Sequence, residues 1–532
     1  MEVTVKTNQS TSATLSNATL SKIWAYFRSL SNIPRGSFNL DAIRSFLEKY
    51  AKEHCFEYSR DTYGNCVIFV GDKGDTTRKN VVIQSHMDMV CAKNEDSKHD
   101  FTKDPIVFHY YFGDTTKKIA SITEINEKFV QVMNVCKGDV LRGNGTTLGA
   151  DNGIGLVSSM VLAEQMVESG ACPNINLYLL MTADEESGMQ GIQNLSTDPS
   201  FLPENAFVIN VDSEIENQIC GGSVGGSECI ITLEKYYIER IGVSTPSNKV
   251  CYSLSLKGFL GGHSGCDIHL GQNSAIKTMG YILYQIKCIN NFDIDLVEIN
   301  GGSAHNAIPE TCDSCFYIDP TTEDKCREAI NKNIKSVGIR YNEKNVTFTF
   351  EKVVDSSQKN SFVDNKLINL LMILHQGPIS LSPYSEKCLS TSNNIGLIKT
   401  ANDKMTISCL TRSSHTDGLR EYYDQICAAT EIVQLCAVSP FSCYEGWNPD
   451  WNTSVTMKKL TDAHQKLFGY VPHKYVAHAG LETSSLIRLF PKWDAMSIGP
   501  QIDHAHTPRE QITMSSIMPF YDWLKETVFS MN

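Results

Sequence analysis

The stretch VVIQSHMDMV (residues 81–90) decides the fold class of this chain. Its first four residues are typical of a buried strand, which then ends in His86, one spacer residue and Asp88. In extended backbone, residues i and i+2 point to the same face. His86 can therefore offer one ring nitrogen to a metal while Asp88 accepts the proton on the other. We expect the carboxyl end of this strand to carry chemistry.

Two further apolar strands are predicted to end in acids: INLYLLMTADEE (175–186) and AFVINVDSE (206–214). Helical patterns alternate with these strands, which favours an α/β unit with a mainly parallel sheet. Because ligand sites of open α/β sheets lie at the carboxyl ends of the strands, we expect the terminal side chains to converge on one edge. These side chains are His86, Asp88, Asp184, Glu185, Glu186 and Asp212.

Such a cluster predicts a metal centre. Neighbouring carboxylates raise each other's pKa values, and a cation removes that penalty. Imidazole combined with carboxylate oxygen suits zinc, and less specifically manganese or cobalt. GADNG (149–153) adds Asp151 in a glycine-rich turn that lets backbone approach a crowded site. The same turn lacks the full G-x-G-x-x-G pattern, and Asp151 would repel a phosphate, so dinucleotide binding is disfavoured.

The composition excludes several classes of partner. The net charge, 47 − 60 = −13, disfavours nucleic acid and anionic membranes, which bind basic surfaces. No stretch reaches the roughly 18 uninterrupted apolar residues of a membrane span, and the N-terminus lacks the apolar core of a secretory signal. We therefore expect a cytoplasmic enzyme whose 18 cysteines are reduced.

A shift in composition near Gly221 indicates a second domain. Alternating strand patterns and separate helices follow it, and from about Tyr444 the earlier α/β style returns. We predict a discontinuous catalytic domain, residues 1–226 and 444–532. An α+β lid and dimerisation domain, residues 227–443, is inserted within it.

Longer motifs carry a family resemblance. They are SHMDMVCAKNEDSKHDFTKDPI, GTTLGADNGIG, DEESGMQG, NVDSE, GGHSG, GGSAHNAIPE, HAGLE and SIGP…AHTPRE. In this order, from about residue 20 to the C-terminus, they resemble the aminoacyl-histidine dipeptidases of the dinuclear zinc peptidase family M20, which includes carboxypeptidase G-like enzymes and carnosinases. GTTLGADNGIG and HDFTKDPI are the most specific, because they are long and separate this subfamily from its relatives.

The resemblance implies two zinc ions per subunit, with Mn²⁺ or Co²⁺ as alternatives. It makes His86 and Asp212 ligands of one ion, and Glu186 and His506 ligands of the other. Asp151 would bridge both ions.

The resemblance also makes Glu185 the general base and Asp88 the residue that orients His86. The residues agree with this division, since adjacent Glu185 and Glu186 cannot both point the same way from extended backbone. His504 competes with His506 as the distal ligand. We prefer His506 because it stands in the matching AHTP context.

In the lid, the resemblance implies that His263 of GGHSG supplies a donor to the oxyanion, in many members from the other subunit of a dimer. Asn306 and Arg412 match positions that grip the substrate's C-terminal carboxylate, and Arg suits a bidentate clamp. Gly480 of HAGLE matches a backbone contact. The chain departs from its relatives at His305 and at His415-Thr416, which bears on substrate preference rather than on hydrolysis.

The predicted reaction is hydrolysis of dipeptides with a free C-terminal carboxylate, with Xaa-His or β-alanyl-His (carnosine-like) substrates expected. A water held between the metals would attack, with Glu185 as base. The predicted partners are a small peptide substrate and a second copy of the chain in a homodimer. A related tripeptidase, aminoacylase or carboxypeptidase is the alternative, and a non-catalytic protein on this fold is a more distant one.

Overall fold

The protein divides into two compact units. The first comprises Met1–Gly221, Pro449–Tyr475 and Leu481–Asn532, and the second Gly222–Asn448 and Val476–Gly480. The computed structural model describes residues 9–111, 118–122, 138–234, 249–353, 365–381, 389–401, 404–434, 436–448 and 451–532.

An eight-stranded sheet forms the centre of the first unit. Across the sheet, its strands are β1 (Glu57–Arg60), β2 (Cys66–Val70), β7 (Ile175–Thr182), β3 (Lys79–His86), β8 (Phe207–Asn210), β20 (Asp494–Ser497), β9 (Gln218–Ser223) and β19 (His473–Ala477). The four strands β7, β3, β8 and β20 run parallel, and antiparallel pairs flank them. The α/β class with a mainly parallel centre is thereby confirmed.

The register of the parallel strands brings their carboxyl ends together. His86 lies opposite Thr182, Gln84 opposite Asn210, and Asn210 opposite Ser497. Every residue of β7 is buried, as expected for a parallel strand that is covered on both faces. The residues that follow β3, β7 and β8 therefore emerge side by side at one edge.

Helices cover this sheet. Among the described residues of the first unit, the α-helices are α1 (Gln9–Ser31), α2 (Asp41–Glu53), α3 (Ala150–Ser169), α4 (Gln190–Gln193), α9 (Val455–Phe468), α10 (Glu482–Leu489) and α11 (Ile517–Ser530). α3 packs on β3 and β7, and α9 packs on β8 and β20.

A small antiparallel sheet joins two loops that matter for the site. Its strands are β21 (Ile502–Asp503), β22 (Gln511–Thr513), β6 (Val140–Gly143), β4 (Phe108–Tyr111) and β5 (Lys118–Ile122). The loop that carries His506 runs from β21 to β22, and β22 pairs with β6 through Gln511 and Arg142. β6 leads into the turn before Asp151, so one sheet fixes both loops.

The second unit is built on an antiparallel sheet. Across it lie β14 (Thr347–Lys352), β11 (Val250–Lys257), β13 (Cys312–Ile318), β12 (Asp295–Gly301), β16 (Leu389–Ala401), β17 (Lys404–Ser413), β10 (Gly225–Glu234) and β18 (Cys436–Val438), with β15 (Gly377–Leu381) beside β16. Its helices are α5 (Ala275–Tyr284), α6 (Glu323–Arg340), α7 (Asn365–Ile373) and α8 (Thr416–Val433). α5 and α8 pack on the sheet, which confirms the α+β class of this part. Within the described ranges, no helix combines the length and apolar character needed to cross a bilayer.

The boundaries of the units differ from the predicted domain limits. The first boundary falls after Gly221 rather than at 226, and the chain returns after Asn448 rather than at 443. The segment Val476–Gly480 also belongs to the second unit, which composition did not indicate because it lies within an otherwise α/β stretch. The assignment of the units as catalytic and lid domains stays a prediction.

Gly155 sets how closely α3 approaches the end of β8. A Cβ atom at this position would lie 2.5 Å from the carbonyl oxygen of Val211. Val211 directly precedes Asp212, and Asp151 begins the same helix as Gly155. The missing side chain therefore lets two acids of the site come together.

We predict that Gly155→Ala lowers the free energy of unfolding by about 2 kcal/mol, because the added methyl group forces backbone apart. Urea unfolding followed by circular dichroism measures this. Gly338→Ala in α6 is the matched control, since its Cβ would meet only the Glu343 carbonyl oxygen at 3.4 Å. There the higher helix propensity of alanine should stabilise by up to about 1 kcal/mol. Equal effects at both positions would contradict the role of Gly155.

Candidate metal centre

The edge of the parallel sheet carries a cluster of acids and imidazoles. His86 ends β3, Asp212 follows β8, and Glu186 follows β7. Asp151 lies at the start of α3, after a left-handed turn at Gly149 (φ 72°), and His506 comes from the loop between β21 and β22. The five side chains that the sequence predicts as ligands thus come from five separate segments of the first unit.

The Asp151 carboxylate lies between the two histidines. Its Oδ1 is 3.0 Å from His86 Nε2, and its Oδ2 is 3.1 Å from His506 Nε2. Asp212 Oδ1 lies 3.4 Å from His86 Nε2, while Glu186 Oε2 lies 3.0 Å from His506 Nε2. The cluster therefore has two halves that share one carboxylate.

The donor set fits divalent metal ions. Ligand atoms of His86, Asp151 and Glu186 all lie within 4.8 Å of one another. Glu186 Oε1 and Asp212 Oδ1 are buried and have no hydrogen-bond partner among the described residues. Asp212 Oδ1 has only the 3.4 Å contact with His86 Nε2. Buried carboxylate oxygens normally accept hydrogen bonds, so both atoms could bind a cation.

The pKa values of the cluster reflect the crowding of buried charged groups. Burial lowers the pKa of His86, but Asp212, Asp151 and Asp88 outweigh it and raise the pKa well above the usual value. Burial raises the pKa of Glu186 to about 7, and nearby Asp151 adds to the shift. The buried acids thus oppose one another's ionisation, and a bound cation would favour their charged forms.

Asp88 ties the end of β3 to the acids after β7. Its carboxylate accepts the backbone N–H of Glu185 (3.0 Å) and of Glu186 (3.2 Å), and the Ser37 hydroxyl (2.7 Å). His86 Nδ1 lies 3.1 Å from the Asp88 carbonyl oxygen and 3.4 Å from its Oδ1. This arrangement leaves His86 Nε2 facing Asp151.

Burial raises the pKa of Glu185 well above its usual value, and the acids Glu186, Asp212 and Glu482 oppose its ionisation too. A carboxylate with a raised pKa at a reaction centre is suited to accept and return a proton. Glu482 is itself buried and accepts hydrogen bonds from Gln84 (2.6 Å) and the Thr182 hydroxyl (2.6 Å).

Two buried charged residues, to which the sequence analysis gives no role, hold the turn before Asp151 in place. Glu510 accepts the backbone N–H groups of Leu148 (2.7 Å), Gly149 (3.0 Å), Ala150 (2.7 Å) and Asp151 (3.2 Å). Glu510 stands in the quoted AHTPRE motif, so its sequence context was the available signal.

Arg35 is the second such residue. Its guanidinium donates to the carbonyl oxygens of Met87 (3.0 Å), Asp88 (2.8 Å) and Gly149. Only 1% of its surface is exposed, and its charge also interacts with the carboxylates of Glu510, Asp88 and Asp151. A lone Arg in a Pro-Arg-Gly break gives no sequence signal for this role.

In the second unit, the loop with His263 pairs with the loop that carries Asn306. Ser264 N–H donates to the Asn306 carbonyl oxygen at 2.8 Å, and His263 bridges to Ala307. His263 Nδ1 accepts the backbone N–H of Cys266 at 3.1 Å. In the neutral ring the proton then resides on Nε2, which makes that nitrogen a donor.

Arg412 is a buried cation of the second unit. Its Nη1 donates to the Tyr444 hydroxyl at 3.0 Å, and its Nε has no partner among the described residues. Burial and the Arg412 charge lower the pKa of nearby His478 to about 4, so His478 stays neutral. His478 stands two residues before Gly480, and its Nε2 lies 2.7 Å from the Ser392 hydroxyl. A buried guanidinium without a carboxylate in the described part of the chain is suited to an anionic ligand.

The predicted site residues thus fall into two groups. The first unit brings together His86, Asp88, Asp151, Glu185, Glu186, Asp212 and His506. The second unit holds His263, Asn306, Arg412 and Gly480.

Comparison with known proteins finds related peptidases. A model of peptidase family M20/M25/M40 matches residues 136–530, a range that begins after His86 and Asp88. The chain is 31% identical, over 517 residues, to the cytosol non-specific dipeptidase of Escherichia coli (strain K12), covering 96% of this chain and 98% of that protein.

Solved structures extend the likeness. The aminoacylhistidine dipeptidase of Vibrio alginolyticus is 29% identical and superposes with a TM-score of 0.71, covering 96% of both chains. The di-peptidase Dug1p of Saccharomyces cerevisiae is 13% identical, with a TM-score of 0.51 over 98% of this chain and 99% of that one. At that identity the second likeness concerns the fold alone.

We predict that Glu510→Gln lowers the free energy of unfolding by about 2 kcal/mol, because an amide nitrogen would face backbone donors that now meet a carboxylate. The affinity for added Zn²⁺, measured by calorimetry, should fall too, since Asp151 loses its support. Neighbouring Arg509→Gln, at an exposed position, is the control and should change neither quantity. Unchanged stability and zinc affinity in the Glu510 variant would contradict this role.

Proposed function

This chain belongs to peptidase family M20/M25/M40, and we propose that it is a metal-dependent dipeptidase acting on dipeptides with a free C-terminal carboxylate. Xaa-His and β-alanyl-His peptides are the expected substrates, since a relative that is 29% identical is named an aminoacylhistidine dipeptidase. The observation that carries the proposal is the Asp151 carboxylate between His86 and His506.

We assign His86 and Asp212 to one metal ion, Glu186 and His506 to a second, and Asp151 to both. Two Zn²⁺ ions per subunit suit this mixed nitrogen and oxygen set, with Mn²⁺ or Co²⁺ as alternatives. When bound, the ions would activate a water molecule and polarise the scissile carbonyl group.

Glu185 is the proposed general base. It accepts a proton from the attacking water and returns it to the leaving amine, so the peptide bond breaks without a strong acid or base in solution. Its raised pKa supports proton return at neutral pH. Asp88 would fix both this base, through the Glu185 N–H, and the ring of His86.

His263 is the proposed donor to the carbonyl oxygen as negative charge develops there. The backbone contact to Nδ1 leaves the ring proton on Nε2, the form that an oxyanion donor requires. The family resemblance implies that this residue acts across a homodimer. The homodimer and a cytoplasmic location stay predictions from that resemblance and from the composition.

Arg412 and Asn306 are the proposed grip on the substrate's C-terminal carboxylate, with Gly480 supplying a backbone contact. Arg412 supports this because it is a buried cation whose Nε lacks a partner among the described residues. Such a contact would select substrates with a free C-terminal carboxylate, a group that dipeptides share with N-acyl amino acids.

Glu185→Gln tests the mechanism. We expect kcat for β-alanyl-His and Leu-His to fall about 10³-fold, because the base is lost. The bound metal, counted by elemental analysis, should stay at two ions per chain, and chelation of the wild-type enzyme should abolish turnover. Glu204→Gln, at a side chain that is 68% exposed, is the control. Full activity in Glu185→Gln would refute the base, and turnover that survives complete removal of metal would refute the proposed function.

Arg412→Lys tests the carboxylate grip. A lysine keeps the charge but loses the two-pronged contact, so KM for a free dipeptide should rise about tenfold. The inhibition constant of the C-terminally amidated dipeptide should change less than twofold. Arg420→Lys, at a side chain that is 56% exposed, is the matched control. Equal weakening for both peptides would contradict the assignment.

A further inference from the structure

Phe38 is an exposed aromatic residue in an unfavourable backbone conformation. Its surface is 72% accessible, so the ring adds little to the core. Its φ is +66°, a region that glycine or asparagine adopts more readily than a bulky residue. Neither burial nor local conformation therefore explains why a phenyl ring stands here.

Hydrogen bonds hold this residue beside the proposed base. Phe38 N–H donates to Asp184 Oδ1 at 2.5 Å, and the Tyr63 hydroxyl donates to Asp184 Oδ2 at 3.1 Å. Asp184, itself at φ +51°, directly precedes Glu185. The backbone of Phe38 is therefore one hydrogen bond away from the residue next to the base.

The preceding residues fix the loop from the other side. Ser37 donates to the Asp88 carboxylate, Gly36 bridges to Met89, and Arg35 donates to the carbonyls of Met87 and Asp88. The loop is thus anchored to the strand end that carries His86. A rigid loop beside reacting groups is a suitable support for substrate contacts.

We propose that the Phe38 ring contacts the side chain of the substrate residue on the N-terminal side of the scissile bond, and that it favours apolar side chains there. This rests on the proposed function, because Glu185 would act there on the scissile carbonyl, and that carbonyl belongs to the N-terminal residue of the dipeptide. Phe38 is held beside Asp184, which directly precedes Glu185, so its exposed apolar surface is offered to that residue. Leucine, methionine and phenylalanine side chains match such a surface.

A panel of Gly-His, Ala-His, Leu-His and Phe-His tests this. Phe38→Gly removes the ring and also removes the steric cost of the positive φ angle, which glycine adopts readily. We expect kcat/KM for Leu-His and Phe-His to fall about tenfold, the scale of a lost apolar contact in a pocket. The value for Gly-His should change less than twofold. Phe38→Tyr keeps the ring and should keep the preference.

Val167→Ala is the matched control, since Val167 is 54% exposed near the far end of α3. Melting temperatures of all variants show whether each is folded. An equal loss for Gly-His and Leu-His in folded Phe38→Gly, or no loss for either, would overturn the inference while dipeptidase activity persists. A wild-type enzyme that cleaves none of these dipeptides would instead refute the proposed function.

Discussion

Mutual repulsion of buried carboxylates is the constraint on which the site depends. Asp88, Asp151, Glu185, Glu186 and Asp212 lie within one edge of a sheet, where water cannot screen them. Two imidazoles cannot neutralise five acids. The remaining negative charge, together with burial, raises the pKa values of Glu185, Glu186 and Asp212. Bound cations would supply positive charge and favour the ionised forms of Glu185, Glu186 and Asp212, whereas contacts with the imidazoles already lower the pKa values of Asp88 and Asp151.

The fold meets this constraint by fixing backbone around the acids. Both kinds of backbone group in the turn before Asp151 are hydrogen-bonded to charged side chains. Glu510 accepts hydrogen bonds from its N–H groups, and Arg35 donates to the carbonyl oxygen of Gly149. Asp88 does the same for the N–H groups of Glu185 and Glu186. These hydrogen bonds to backbone come from the chain itself and set the positions of the acids without a contribution from a metal ion.

The sequence predicts much of this arrangement because strand periodicity is local. Extended backbone puts residues i and i+2 on one face, which pairs His86 at the end of β3 with Asp88 just after it, and the carboxyl ends of parallel strands meet at one edge. Longer-range facts need the tertiary structure. Nothing near Arg35 in the chain indicates that it reaches Gly149, and the segment Val476–Gly480 joins the second unit without a change in composition. The choice between His506 and His504 rested on resemblance, and the structure turns His506 Nε2 toward Glu186.

The charged groups that the two units bury differ in sign. The first unit concentrates acids that would hold cations. The second holds Arg412 in a buried setting, with His478 kept neutral beside it because the guanidinium charge and burial oppose its protonation. A second positive charge there would repel Arg412, whereas a neutral imidazole can donate or accept a hydrogen bond. A carboxylate would suit such a pair, since it would neutralise the one cation, whereas an uncharged amide would leave that cation buried and unpaired.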